Sequence, residues 1–381
     1  MTPLKGVTVV SLEQAIAAPF ATRQLADLGA RVIKVERPEG GDFARGYDHR
    51  VGGLCSHFVW CNRSKESIAL DLKSDRGLQI IQALIARADV FVQNLAPGAT
   101  ERLGLDFATL HTQHPRLIVC DISGYGLTGP DRDRKAYDLL IQAESGFLSV
   151  TGTPDQAVKA GCSIADIAAG MYAYTNVLAA LMERQSTGEG RHIDISMLES
   201  MAEWMGFPMY YGYGGASPPP RVGAAHATIA PYGPFRTADG EVLIGIQNER
   251  EWQVFCSQVI ERPDIALDPR FLTNPLRVAN RAALNEIISG ILSRLSRSEA
   301  LARLDEARIA NARINDVAGL WSHAQLQARR RWTQIDTPVG SIPALFPPGM
   351  SEACMGAVPN LGEHTSAILA ELGITPEVVS A

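Results

Sequence analysis

The first half of the chain alternates short β-rich runs with helical runs, and this alternation restricts the possible folds more than any other feature. Val7 to Leu12 is a β-rich run. Pro19 to Leu28 has helical apolar spacing, and Gly29 stands where a helix C-cap glycine belongs. Val32 to Glu36 is the next strand. Arg76 to Arg87 reads as a helix, with Asp89 to Val92 and Leu117 to Ser123 as further strands. Strand–helix–strand units with short connections require a parallel sheet with right-handed crossovers. The expected fold class is α/β.

The pattern then changes. Asp166 to Arg184 reads as a long helix, closed by the turn Thr187-Gly188-Glu189-Gly190. His192 to Ile195 returns as a strand, and Met197 to Trp204 as a helix. From Gly206 to Gly223 the composition shifts to Gly, Tyr and Pro, as in a linker or mobile loop. Tyr232 to Ile246 reads as a hairpin turning at Asp239-Gly240. Helices around 250–260 and 278–308 complete a smaller α+β unit. Thr333 to Pro348 is β- and Pro-rich, and Leu361 to Leu372 is a helix followed by Gly373. At 381 residues the chain has room for two or three domains, since a domain usually takes ~100–200 residues.

Charge and cysteine usage exclude several classes. A net charge of -6 disfavours general binding to nucleic acid or anionic membrane, although a local Arg/Lys cluster can still hold an anion. The six cysteines form no CxxC pair, and no His cluster has zinc-like spacing, so no metal site is expected. The cysteines are taken as reduced. The N-terminus runs directly into a strand, without a signal-peptide apolar region. The stretch Ile167 to Met182 reads as too short and too polar to span a bilayer. A cytoplasmic location is expected.

Four segments could carry chemistry. Asp166 sits at the start of the long helix, where unpaired N–H groups favour a carboxylate. It reads either as a cap or as an anionic nucleophile able to attack an acyl thioester, and an ordinary aspartate is already ionised near neutral pH. Arg37 follows a strand end, where open α/β sheets bind ligands, and the Gly40-Gly41 pair lets backbone approach closely. Asn94-Leu95-Ala96, with Arg102 beyond, lies past another strand end and reads as a turn or as a nucleotide contact. Arg132 to Asp138 is a mixed-charge loop in which Lys135 and Tyr137 suit a nucleotide phosphate and base. The turn after the first strand, Glu13 to Pro19, lacks GxGxxG, which disfavours a dinucleotide oxidoreductase.

Together these segments resemble family III CoA-transferases, the group of formyl-CoA and carnitine CoA-transferases, almost end to end. The resemblance is carried by Ala18-Pro19 and Gly29 to Pro38, by Asn62 to Leu72, by Asp89 to Gly98, and by Ser123 to Gly126 with Gly129-Pro130. It continues through Leu178 to Glu199, Ala312 to Asn315, and Pro359 to Thr365. It implies an interlocked, ring-like homodimer in which each subunit has a Rossmann-like large domain and a smaller α+β domain. The expected boundaries are 1–205 for the first part of the large domain, 206–228 for a linker and 229–310 for the small domain. A second linker at 311–332 leads to a C-terminal return to the large domain at 333–381.

By position, the resemblance places the nucleophile on Asp166. It places CoA contacts on Ile16, Ala17, Arg37, Leu70, Asp71, Leu72, Lys73, Asn94, Leu95, Ala96, Arg102, Lys135, Ala136, Tyr137 and Asp138. CoA is then a substrate, with no separate cofactor. The implied reaction moves CoA from an acyl-CoA such as succinyl-CoA to a small carboxylic acid. It passes through a mixed anhydride and an aspartyl-CoA thioester.

Formyl-CoA transferases carry Gln where this chain has Ile16, and a four-glycine loop whose nearest counterpart here is the displaced Gly212-Tyr213-Gly214-Gly215. His226 to Tyr232 resembles the branch handling larger acids. The expected acceptor is a C4–C5 dicarboxylate such as itaconate, mesaconate or malate, with Arg45, Arg50 or Arg221 on its second carboxylate. The rival is an α-methylacyl-CoA racemase, which needs a His–Asp acid/base pair. Racemases place Gly-His shortly after Gly-Pro, whereas here Gly129-Pro130 leads into Asp131 to Arg134.

Overall fold

A computed structural model describes residues 2–375. The last residues of the expected 333–381 segment, 376–381, lie outside the described part. The chain divides into two compact units. One comprises residues up to 147, 160–206 and 325 onward; the other comprises 148–159 and 207–324.

The first unit is built on six strands: β1 Thr8–Leu12, β2 Arg31–Glu36, β3 Lys65–Ala69, β4 Val90–Gln93, β5 Ile118–Ser123 and β6 His192–Ser196. They run in the order β3-β2-β1-β4-β5-β6, and every neighbouring pair is parallel. Successive strand residues go to opposite faces. Val9, Val32, Val90, Ile118 and Cys120 therefore join the core with the Ala17–Asp27 and Ile164–Thr187 helices. Val10, Ile33, Phe91 and Val119 join the opposite core with the Asp75–Ile85 and Thr365–Glu371 helices. Because both faces are covered, β4 and β5 read as short apolar runs, VFV and IVC, and β1 and β2 each carry an apolar pair before, and one apolar residue after, Ser11 and Lys34.

β3 shows no such run, and the sequence reading misses it. Its sequence is Lys-Glu-Ser-Ile-Ala. Lys65 and Ser67 are buried, but as members of polar networks, so the strand carries no continuous apolar signal. The chain end docks against it: Ala69 N donates to Thr365 Oγ1 at 3.0 Å, and His364 N donates to the Ser67 carbonyl at 2.9 Å. A hairpin of β10 Trp332–Thr337 and β11 Gly340–Leu345 belongs to the same unit, and its Ile335 is buried with Phe58, Val59 and Val358.

The long helix runs over Ile164–Thr187, beyond the Ile167 to Met182 stretch judged from sequence, and is long and apolar enough to cross a membrane. In this fold its Ala165, Ala168, Ala169, Ala173, Val177 and Ala180 are buried in the first core.

The second unit holds an antiparallel sheet of β7 Tyr232–Thr237, β8 Gly240–Gly245 and β9 Ala310–Arg313. Trp252, Phe255, Phe271, Leu284, Ile288 and Leu292 form its core with the helices between β8 and β9. The expected 278–308 helix is broken. It stops at Leu292 and restarts at Arg297, where Ser296 and Glu299 form a capping box. The 206–228 stretch carries a short helix, Gly206–Tyr211, and a 3-10 turn at Tyr213–Gly215.

Candidate active site

Since all six strands run parallel, their carboxyl ends lie along one edge of the sheet. The strand order reverses between β1 and β4, and a crevice for ligand opens beyond such a reversal. Many of the sequence-predicted residues fall beyond this edge. Ile16 and Ala17 follow β1 and begin the Ala17–Asp27 helix. Arg37 follows β2, exposed, with its guanidinium on the Gly41 carbonyl at 2.9 Å and 4.6 Å above the Phe43 ring. Leu70, Asp71, Leu72 and Lys73 follow β3; Leu70 is buried core, Leu72 half-buried, and Asp71 and Lys73 exposed.

Asn94, Leu95 and Ala96 follow β4. Asn94 holds both backbone groups of Gln14, accepting from its N–H at 2.8 Å and donating to its carbonyl at 2.9 Å. Leu95 is half-buried and Ala96 exposed. Arg102 is exposed on the following Ala99–Leu103 helix. Lys135, Ala136, Tyr137 and Asp138 lie in the connection after β5; Ala136 packs on Gly124 so closely that a Cβ there would stand 2.1 Å from the Ala136 methyl. Lys135 and Tyr137 are exposed. Arg134 in that loop is engaged with Glu144 at 2.7 Å.

Asp166 sits in the first turn of the Ile164–Thr187 helix, half-buried. The N-cap residue Ser163 makes no side-chain cap bond, and the free amides are met from another helix. Asp138 Oδ1 accepts from Ala165 N at 2.8 Å and Asp166 N at 3.4 Å, while its Oδ2 takes Gln142 Nε2 at 2.6 Å. Asp138 thus caps the Ile164–Thr187 helix, a structural task the sequence reading did not give it. Burial, and then the charge of Asp138, raise the Asp166 carboxyl to about 7. This departs from the ordinary ionised aspartate expected from sequence: desolvation disfavours its charge, and the charge beside it has the same sign.

A change of Asp138 to Asn keeps an oxygen to cap the helix but removes the charge. The acid limb of the rate–pH profile is expected to move to lower pH. Burial remains, so the limb should stay above the ordinary carboxylate range. A rate profile from pH 5 to 9 checks this.

Two residues missed in the sequence stand nearby: Tyr47, just past the 3-10 turn Phe43–Gly46, and His57, in the first turn of the Ser56–Asn62 helix. Partial burial, then the charges of Asp42 and Asp166, raise the Tyr47 hydroxyl. Its ring meets His57 edge-on at 5.8 Å. His57, Ser56 and Trp60 line a cavity of about 290 Å³ with Gly161, Cys162 and Ser163, which lead directly into the Ile164–Thr187 helix. Asp48, Cys55 and His57 bring their ligand atoms within 4.8 Å of one another. Both Asp48 oxygens already accept hydrogen bonds from the Ser56 end of the Ser56–Asn62 helix, at 3.0 and 2.7 Å, so this cluster works as a helix cap.

A buried ion network fixes the turn after β1. Lys34 reaches Asp42 at 2.7 Å and Glu13 at 3.3 Å; Lys65 reaches Glu13 at 2.7 Å, and Thr22 donates to Glu13 at 2.6 Å. Asp42 in turn accepts from Ala15 N at 2.8 Å. Ala15 has φ +62°, a left-handed conformation that a non-glycine residue adopts only when held. The next residue, Ile16, packs with Phe20, Cys61, Ile167 and Met171, beside Asp166. None of the network residues was singled out from sequence, where isolated charges at strand ends look like surface.

Gly170, one turn beyond Asp166, lets the two helices touch: a Cβ there would stand 2.7 Å from the Ala17 carbonyl oxygen. In Gly170→Ala, helix propensity favours the variant by about 1 kcal/mol. Overpacking against backbone opposes it by about 1–3 kcal/mol. The net expectation is lower stability together with slower turnover, because the shift moves Asp166 relative to Ile16 and Ala17. Urea unfolding alongside kcat checks both.

Residues 4–365 match the family model described as CoA-transferase family III. A succinate–glutarate CoA-transferase of Agrobacterium fabrum is 35% identical, covering 97% of this chain and 96% of that protein. A succinyl-CoA:mesaconate CoA-transferase of Haloarcula hispanica is 33% identical over 98% and 97%. The crystal structure of a CAIB/BAIF family protein from Brucella suis superposes with TM-score 0.85 at 36% identity, covering 97% of this chain and 99% of that one.

Proposed function

The chain belongs to CoA-transferase family III, and we propose that it moves CoA from succinyl-CoA to a C4–C5 dicarboxylic acid, with Asp166 as the covalent nucleophile. The observation that carries the proposal is the Asp166 carboxyl itself. It is half-buried on the first turn of the Ile164–Thr187 helix, raised to about 7, and stands beyond the sheet edge where the candidate CoA contacts gather. Desolvation makes the carboxylate a better nucleophile than one in water.

In the proposed sequence, Asp166 attacks the thioester carbonyl of the donor. CoA thiolate leaves, and a mixed anhydride forms. The thiolate then attacks the Asp166 carbonyl, releasing the donor acid and leaving CoA on Asp166 as a thioester. The acceptor carboxylate attacks that thioester, again expelling thiolate and forming a second anhydride. The thiolate attacks the acceptor's acyl carbonyl, and Asp166 is free. Aspartate and CoA supply all the chemistry, so the proposal assigns no metal and no cofactor beyond CoA as substrate.

Relatives named for glutarate, mesaconate and malate support a dicarboxylate acceptor. The interlocked homodimer belongs to the same reading, supported by exposed apolar side chains such as Trp204, Phe207, Tyr211, Ile314 and Trp321. A cytoplasmic location fits the free cysteines at 55, 61, 120, 162, 256 and 354.

The test is incubation in D2O with succinyl-CoA, acetyl-CoA and a 2-methylacyl-CoA as donors and a panel of carboxylic acids, reading every CoA ester by mass spectrometry. New esters without α-deuterium are expected. Deuterium entering the 2-methylacyl-CoA with no new esters would establish the racemase instead.

A further inference from the structure

We propose that His57 is the specificity-determining residue that holds the second carboxylate of the acid; this rests on the dicarboxylate reading above. The acyl group must lie near Asp166. The cavity beside the start of the nucleophile helix is lined by Ser56, His57, Trp60, Gly161, Cys162 and Ser163, and contains no lysine or arginine. Among these, the imidazole is the one side chain able to carry positive charge. Tyr47 ties this cavity to the nucleophile: its ring touches His57 at 5.8 Å, and the Asp166 charge acts on its hydroxyl. His57 Nδ1 is turned toward Asp48, at 3.6 Å. This leaves Nε2, on the other side of the ring, to donate to a carboxylate in the cavity.

Two of the three arginines expected from sequence, Arg45 and Arg221, are otherwise occupied, as are Arg23 and Arg63. Arg45 is bound to Glu36 through two contacts of 2.7 Å and lies 3.7 Å above the Phe58 ring. Arg221 donates to the carbonyls of Thr153 and Pro154, both at 2.9 Å. Arg23 and Arg63 share Asp27, at 3.1 and 2.6 Å. Arg50 is exposed on the same loop as Asp48 and is the rival for the role.

In a reaction of this type the acceptor meets an enzyme that already carries CoA. Its kcat/KM is therefore independent of the donor, and a ratio of two acceptors is independent of the fraction of active enzyme. The experiment compares glutarate with pentanoate, which has the same chain length but one carboxylate, in wild type, His57→Phe, His57→Gln and Arg50→Gln. The glutarate-to-pentanoate ratio of kcat/KM is expected to fall ~10-fold or more in His57→Phe, the size of a lost hydrogen bond to a charged group. His57→Gln, which keeps an N–H donor, should retain part of the ratio, and Arg50→Gln should leave it unchanged. An unchanged ratio in His57→Phe, or an equal fall in Arg50→Gln, would overturn the assignment. A wild-type enzyme that transfers CoA to other acids but never prefers the dicarboxylate would overturn the dicarboxylate reading and this assignment with it.

Discussion

Asp166→Asn is expected to reduce CoA transfer by on the order of 10⁴-fold or more, because the amide cannot form the anhydride through which every later step passes. The same substitution should raise stability at alkaline pH, and this second effect identifies the site as built for function rather than for folding. The folded carboxyl stands at about 7 against an ordinary value of 3.8. Below the ordinary value both folded and unfolded states are protonated, and burial costs little. Between the two values the unfolded chain ionises first, so stability falls as pH rises; above about 7 the full penalty is present. Asn carries no such penalty. Thermal melts of wild type and variant should coincide near pH 4 and separate as pH rises, the variant melting higher at pH 8. A variant that melts lower at pH 8 would show that the Asp166 charge supports the fold, and transfer at the wild-type rate would remove Asp166 from the mechanism.

The sequence made the scaffold legible where one physical cause dominates. Apolar strands covered on both faces announce themselves, and so do Gly29 and Gly188 after their helices. Asp166 was legible as a carboxylate at a helix start, but its raised pKa was not. That depends on Asp138 arriving from a segment 28 residues earlier, with no cation beside it among the causes of the shift. β3 was hidden because its buried positions are polar. Arg45 looked like a ligand for an anion until the fold placed Glu36 against it at 2.7 Å. For Asp166 and for β3 the deciding partner is distant in sequence, and for Arg45, nine residues from Glu36, it takes the fold to bring the two together.

Lys34→Met should destabilise the protein by about 3–5 kcal/mol, the usual consequence of removing one partner from a buried ion pair. Lys34 is fully buried between Asp42 and Glu13. Burial works against its charge, yet those two carboxylates hold the ammonium above its ordinary range. Lys65 shows the opposite balance: burial outweighs its one carboxylate partner, Glu13, and brings it down to about 8. The contrast identifies Lys34 as the member that the network depends on. Burial alone would raise Glu13, but Lys65 and Lys34 outweigh it and bring the carboxyl down to about 2. A depressed carboxyl contributes stability above its ordinary value, lost as pH falls toward the folded value. Without Lys34 the folded pKa of Glu13 rises, so acid unfolding should begin at higher pH than in wild type. Combining Lys34→Met with Asp42→Asn should cost less than the sum of the two singles, because the second change removes a charge the first left unpaired. Urea unfolding of the four proteins at pH 7 measures that coupling, and additive losses would mean the pair does not act as a unit. Activity supplies the link to the site. The Lys34–Asp42 contact holds the Ala15 amide and, through it, Ile16 beside Ile167. The double variant should therefore turn over slowly even where it is folded, since the turn facing Asp166 has lost what fixed it.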